Sequence, residues 1–219
     1  MKILELFAGS RSFSKVAEEL GHQTYTTDYK PFDKIDQVCD IFDFNIKKMK
    51  KEFGMPDIIW ASPPCTYFSV ASIGHHWNKD NTPKTEEAKE GVKIVECTTW
   101  LIDTLEPKYW YIENPRGKLR KLPVMNCNFN EHLPDHYRDT VWYCQYFSPE
   151  ETIKRAKPTD IWNNDFKWVA REKCYNGNPN CDHARAPRGS QTGTQGLKGD
   201  YLRSIVPSEL CREILKGKK

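Results

Sequence analysis

The chain has 219 residues, a net charge of +3 and a pI near 8.3. Hydrophobic residues make up 38% and charged residues 29%, enough for one domain with a full core and unlike a disordered chain. No apolar run is long enough to cross a membrane, and the N-terminus lacks a signal-peptide apolar stretch, so the eight cysteines read as reduced thiols of a cytoplasmic protein.

Short apolar strands alternate with helical stretches over the first two thirds. Residues 2–7 read as a strand and 12–20 as a helix stopped by Gly21. Residues 23–27 make a strand ending at Asp28, and 35–38 another ending at Asp40. The apolar run 57–61 is a short buried strand. A long helix over 86–105 ends before Pro107. Strands follow over 109–112, ending at Glu113-Asn114-Pro115, and over 140–146. This alternation predicts an α/β fold, a mostly parallel sheet with helices on both faces, whose ligands bind beyond the carboxyl ends of the strands. Residues 148–200 are rich in Pro, Gly, Asn, Lys and Arg and read as a small irregular subdomain or a set of long loops. Residues 201–215 are again helical and return to the sheet.

Chemistry-bearing residues stand at the strand ends. Phe7-Ala8-Gly9-Ser10-Arg11 is a glycine turn between a strand and a helix N-terminus, where backbone N–H groups are free to meet an anion. Asp28 closes the next strand, where an acid can bind the two hydroxyls of a ribose, and Asp40 closes the third. Each acid has an alternative as a helix cap or a solvated loop residue, and their placement at successive strand ends favours nucleoside binding. After residues 57–61, Ser62-Pro63-Pro64-Cys65 presents a cysteine on a stiff turn, because two prolines fix the backbone and stop the ladder. A thiol so held can be aimed as a nucleophile, and Glu113 at a neighbouring strand end can serve as its acid partner.

This combination resembles the DNA cytosine-5 methyltransferases, most closely their short, phage-type members. The family's first motif is similar to Glu5-Leu6-Phe7-Ala8-Gly9, its ribose-binding acid to Asp28, and its adenine-contacting pair to Asp40-Ile41. Its nucleophile motif stands as Pro64-Cys65 with Phe68-Ser69 following, its Glu-Asn-Val motif as Glu113-Asn114-Pro115, and a late Val-Pro element as Val206-Pro207. The resemblance implies a Rossmann-like catalytic domain over 1–147 and 201–219 with a small target-recognition-like region over 148–200. It implies methyl transfer from S-adenosylmethionine to cytosine C5 in DNA, inside a bacterial cell or phage-infected host, with Cys65, Glu113 and Asn114 catalytic. The cofactor would lie along Phe7, Ala8, Gly9, Ser10, Arg11, Asp28, Asp40, Ile41 and Pro63. The segment 73–78 would close over the substrate.

Departures from the family pattern are specific. Arg11 and Ser12 stand where further glycines are usual, and Arg11 is expected to reach a cofactor carboxylate or a DNA phosphate, or else to face solvent. Gln145 matches the start of the Gln-x-Arg-x-Arg motif, but Phe147 replaces its first Arg, leaving Arg155 or Lys157 to supply the cation. Nucleic acid is further expected at Ser69 and along Arg185, Arg188, Gln191, Thr192 and Gln195, a loop of cations and amides with almost no apolar residue. Cys174, Cys181 and His183 are zinc-type ligands in the spacing of no common finger; Cys144 and Cys127 are the conceivable fourth, and free loop cysteines are the alternative. Trp110, Tyr111, Trp142, Tyr143 and Tyr146 read as strand core. Three rival functions share these features: an RNA methyltransferase, a catalytically idle nucleic-acid-binding subunit, and transfer of a modified group from an altered cofactor.

Overall fold

The chain runs β1 (Lys2–Leu6), α1 (Ser12–Glu19), β2 (Gln23–Asp28), β3 (Gln37–Val38), α2 (Ile46–Glu52), β4 (Ile58–Ala61), α3 (Ile73–His76), α4 (Glu86–Leu105), β5 (Tyr109–Pro115), β6 (Tyr137–Trp142), β7 (Pro158–Asn163), α5 (Asp200–Ser204) and α6 (Ser208–Leu215). The computed structural model describes all residues except 71, 127, 134, 149–154, 176, 184–199 and 219, and the side chain of residue 200. Among the described residues seven strands form one sheet in the order β3-β2-β1-β4-β5-β7-β6. The first five are parallel, while β7 runs antiparallel to both β5 and β6.

Strand alternation builds two cores, one on each face. Leu4, Leu6, Ile59, Ala61 and Ile112 pack with Val95, Leu101, Ile102 and Leu105 of α4. Ile3, Ile58, Trp60 and Tyr111 face the other way, onto Phe13, Val16 and Ala17 of α1 and Leu210, Ile214 and Leu215 of α6. Phe13 stacks on Trp60 with ring centroids 4.6 Å apart. Each such fully buried side chain is worth about 1.5–3 kcal/mol over its exposed state.

Three departures from the sequence expectation matter. β7 lies inside the span read as irregular, between β5 and β6. Its residues Thr159, Asp160 and Asn163 are buried but polar, so it shows no apolar run. The buried Asp160 carboxylate is paired with Arg120, whose Nε lies 2.8 Å from Oδ2, and accepts from the Thr140 hydroxyl at 2.8 Å. The strand expected over 140–146 instead stops at Trp142, and Tyr143–Gln145 form a single 3-10 turn. The C-terminal helix is split at Val206-Pro207, where the Val206 N–H reaches the Ser12 hydroxyl at 3.2 Å and docks the chain end on α1.

Candidate active site

Register places the site residues side by side. Leu6 pairs with Thr27 and with Ala61, and Ala61 pairs with Ile112. One residue further along each strand, the row reads Asp28, Phe7, Ser62, Glu113. The predicted nucleoside acid and the predicted catalytic acid thus stand at the same level on one edge of the sheet.

The turn after β1 is sharply bent: Phe7, Gly9 and Arg11 all take positive φ, at 60°, 32° and 53°. Such backbone is strained for Phe and Arg and is held by its surroundings. The Ala8 N–H donates to Thr27 O at 2.9 Å, and the Gly9 N–H donates to Asp28 Oδ2 at 3.0 Å. Asp28 also accepts the Lys30 N–H at 2.9 Å, and it is buried. Gly9 sits at φ 32°, where an L side chain is strained, and a Cβ there would be in ordinary contact with Asp28 Oδ2 at 3.6 Å and Phe32 at 3.9 Å. The Ser10 and Ser12 hydroxyls share a 2.6 Å hydrogen bond at the start of α1.

Arg11 is buried, and its guanidinium is paired with Glu18, which rules out the solvent-facing reading. The N-terminus of α1 is held by Glu5 instead, whose carboxylate accepts the Ser14 N–H at 2.8 Å and the Phe13 N–H at 3.4 Å. Burial raises Glu5 from its ordinary 4.5 to about 7, against the pull of those N–H groups and of Arg11. Asp40 is exposed and caps the turn Ile41–Asp43 by accepting the Phe42 N–H at 3.1 Å, while Ile41 is buried against α4.

Cys65 is half-buried at the head of a tight turn whose carbonyl accepts the Phe68 and Ser69 N–H groups at 3.1 and 3.0 Å. Asn114, fully buried, donates through Nδ2 to Pro63 O at 2.9 Å and so ties the end of β5 to the proline turn. From the far side the Lys118 N–H donates to Phe68 O at 2.7 Å. Ser69 shares a 3.0 Å hydrogen bond with Ser72. The segment over 73–78 is α3 followed by Trp77, which is buried with its indole N–H on Tyr67 O at 2.7 Å.

Glu113 is buried, and its Oε1 meets the Tyr143 hydroxyl at 2.8 Å and Lys157 Nζ at 3.7 Å. Lys157 also donates to Arg203 O at 3.2 Å and lies over the Tyr143 ring. Burial pushes the Cys65 thiol above its ordinary value; the Lys157 charge opposes this, Glu113 adds to it, and Arg203 opposes it in turn. Of the two cations weighed for the missing Arg, Lys157 therefore pairs with the acid and opposes the upward push on the thiol. Arg155 is buried elsewhere, with Nη1 on Leu202 O at 2.7 Å and its guanidinium over Phe147. Tyr143, read from sequence as core only, is the residue that orients Glu113, and nothing in its sequence context signals that role.

Gln145 turns to a second cluster. Its amide lies 3.8 Å from Cys144 Sγ and 3.7 Å from Cys181 Sγ. Cys144, Cys174, Cys181 and His183 each bring a ligand atom within 4.8 Å of the others. The structure thus joins the three expected ligands to Cys144, whereas Cys127 lies outside the described residues. Arg185, Arg188, Gln191, Thr192 and Gln195 also lie outside them. A surface hollow lined by Met1, Leu20, His22, Arg212 and Lys218 lies at the amino end of β1, away from this chemistry.

No family model matches the chain. It is 28% identical over 229 residues to a "Probable DNA (cytosine-5)-methyltransferase" of Frog virus 3 (isolate Goorha), covering 98% of this chain and 99% of that protein. It superposes with TM-score 0.54 and 14% identity on a candidate DNA modification methyltransferase encoded within an E. coli prophage, over 80% of this chain and 52% of that one. The chain spans about half the length of that solved structure. The fold is the Rossmann-like α/β fold of methyltransferases, and in sequence the chain resembles the DNA (cytosine-5)-methyltransferases over nearly its whole length.

Proposed function

We propose that this chain methylates C5 of cytosine in DNA, with Cys65 as nucleophile and Glu113 as acid. One observation carries the reading: a half-buried thiol on a doubly braced turn feels both a buried carboxylate and the lysine beside that carboxylate. The full-length similarity to the viral protein supports it.

The chemistry follows from the residues. C5 of cytosine is a poor nucleophile until a thiolate adds at C6. In the proposed reaction the Cys65 thiolate bonds to C6, and the displaced electron pair spreads from C5 toward N3. Glu113, steadied by Tyr143, meets N3 as a proton donor and neutralises the charge arriving there. Asn114 holds Pro63 and hence the aim of Cys65. When bound, S-adenosylmethionine supplies the electrophilic methyl group for C5. Loss of the C5 proton to a base and of the Cys65 sulfur from C6 restores the aromatic ring. A cytosine in a duplex must leave the stack to meet Cys65.

The turn at Gly9 and the Asp28 carboxylate fit an adenosine-bearing cofactor. Phe7, Ala8, Gly9, Ser10, Arg11, Asp28, Asp40, Ile41 and Pro63 are the residues that would hold it; one nitrogen of the Arg11 guanidinium is paired with Glu18. Ser69 and the cation- and amide-rich residues 185–195 are proposed to meet the nucleic acid, while the Gln145 amide faces the Cys–His cluster and residues 158–163 are the buried strand β7. The Cys–His cluster has the donors of a zinc site and supplies no group that reacts with the cytosine.

The test is incubation with labelled S-adenosylmethionine and either DNA or RNA, followed by mass spectrometry of the nucleosides. The expected product is 5-methylcytosine in DNA. Label in RNA alone, a transferred group heavier than methyl, or no transfer overturns the reading. Cys65→Ser is expected to abolish turnover and the covalent adduct with 5-fluorocytosine DNA while cofactor binding persists.

A further inference from the structure

We propose that Cys144, Cys174, Cys181 and His183 bind one zinc ion, and that this ion clamps residues 174–183 onto the turn that carries Tyr143. The ligands come from two distant stretches: Cys144 from the 3-10 turn after β6, the others from the irregular chain after β7. Tetrahedral zinc holds sulfur at about 2.3 Å and imidazole nitrogen at about 2.0–2.1 Å, which sets donors roughly 3.5–3.8 Å apart. Here all four donors already lie within 4.8 Å of one another, and His183 Nδ1 is 3.9 Å from Cys174 Sγ.

Two further features suit thiolate ligands. The Asn178 amide points at Cys174 Sγ from 3.4 Å, and the Gln145 amide points at the sulfurs of Cys144 and Cys181. Such N–H groups stabilise charge on bound sulfur. The apolar packing here is also slight. Its core is Trp142, Cys144, Ala156 and Cys174, with Cys181 at its margin, and residues 172–183 have no helix or strand among those described. A segment with so little apolar burial needs a staple, and three cysteines with one histidine make a metal a better staple than a disulfide. The His183 ring turns Nδ1 toward Cys174 Sγ, and its Nε2 accepts the Gly177 N–H at 3.0 Å.

The consequence reaches the proposed active site. Cys144 adjoins Tyr143, whose hydroxyl holds Glu113 Oε1. An ion on Cys144 fixes that turn and with it the orientation of the acid. Zinc is thus a positioning element for Glu113, and this part of the inference rests on the methyltransferase reading.

The experiment begins with metal analysis of the full chain purified under reducing conditions, independent of any activity. One zinc per chain is expected in the wild type and in Cys97→Ser, whose cysteine lies outside the cluster. Cys174→Ser and Cys181→Ser are expected to lose it. Cobalt added to the metal-free protein is expected to show the absorption of tetrahedral thiolate coordination. A reduced, folded wild type that takes up neither zinc nor cobalt overturns the site, as does an iron–sulfur spectrum. If zinc is bound but its removal leaves the rate of methyl transfer unchanged, the link to Glu113 is overturned while the site stands.

Discussion

In the proposed reaction Lys157 and Cys65 set the chemistry of the site at the scale of single residues. A buried thiol resists ionisation, and the nucleophile is the thiolate. Burial outweighs the lysine in the resting protein, since the Cys65 thiol stays above its ordinary value. Lys157 is nonetheless the largest opposing influence, and it lies 3.7 Å from Glu113 Oε1. Replacing it with methionine keeps the length of the side chain and removes the charge. Each unit of upward shift cuts the thiolate fraction at neutral pH about tenfold. Lys157→Met is therefore expected to move the alkaline rise of the pH–rate profile upward and to slow iodoacetamide alkylation of Cys65 at pH 7. An unshifted alkylation profile would show that another group tunes the thiol. The sequence raised Lys157 and Arg155 as equals, because both follow the incomplete motif; only the register of β7 separates them, by placing Lys157 where its backbone meets Tyr143.

Elements matter through the turn they brace. The segment Cys65–Ser69 is squeezed between α4 and the chain leaving β5. Gly117 has no room for a side chain: a Cβ there would lie 2.2 Å from Phe68 O, a backbone atom pinned by the Lys118 N–H. Gly91 in α4 is also tight: a Cβ there lies 2.6 Å from Tyr67 Cδ2 and 3.3 Å from the buried Phe68 ring. A Cβ on Gly74 meets nothing within 4 Å among the described residues. Gly117→Ala is thus expected to cost about 1–3 kcal/mol, Gly91→Ala no more than that, and Gly74→Ala, inside α3, to be neutral or to stabilise by up to about 1 kcal/mol in chemical denaturation. Methyl transfer by Gly117→Ala should fall further than its stability explains, because the displaced backbone carries Cys65. Equal costs at all three glycines would contradict the brace. The proline pair and cysteine were legible in the sequence because prolines constrain their own backbone. The brace was not, because it depends on a close approach between residues about 50 positions apart. β7 was hidden for a related reason: its buried Asp160 is polar, and its solubility in the core depends on Arg120, 40 residues away.

The whole molecule is a sheet between two cores, and Glu5 joins its centre to the helix layer. β1 is a central strand, and Glu5 projects with Ile3 toward α1, whose first N–H groups it accepts. α1 packs in turn against α6, so this carboxylate lies where the parallel sheet and the returning C-terminus meet. The alternation of strands and helices predicted that sheet well. It could not reveal that a motif residue serves as the cap of α1, since the N-cap position is filled by Arg11 in a left-handed conformation with no side-chain cap. The cap has a thermodynamic signature. Glu5 ionises near 4.5 in the unfolded chain and at about 7 in the folded one. Between those values the folded state binds more protons than the unfolded state, so stability falls as pH rises and is greatest below the unfolded value. A shift from 4.5 to about 7 corresponds to about 3 kcal/mol lost on passing from pH 4.5 to pH 8. Glu5→Gln cannot ionise and keeps an acceptor for the α1 N–H groups. The difference in unfolding free energy between wild type and Glu5→Gln isolates this group from the other titrating residues. It is expected to shift in favour of the variant by about 3 kcal/mol as the pH is raised from 4.5 to 8, read from urea denaturation at each pH. A difference that is flat across this range would mean that Glu5 is charged throughout in the folded protein, held by the N–H groups of α1 and by Arg11 more strongly than burial opposes it.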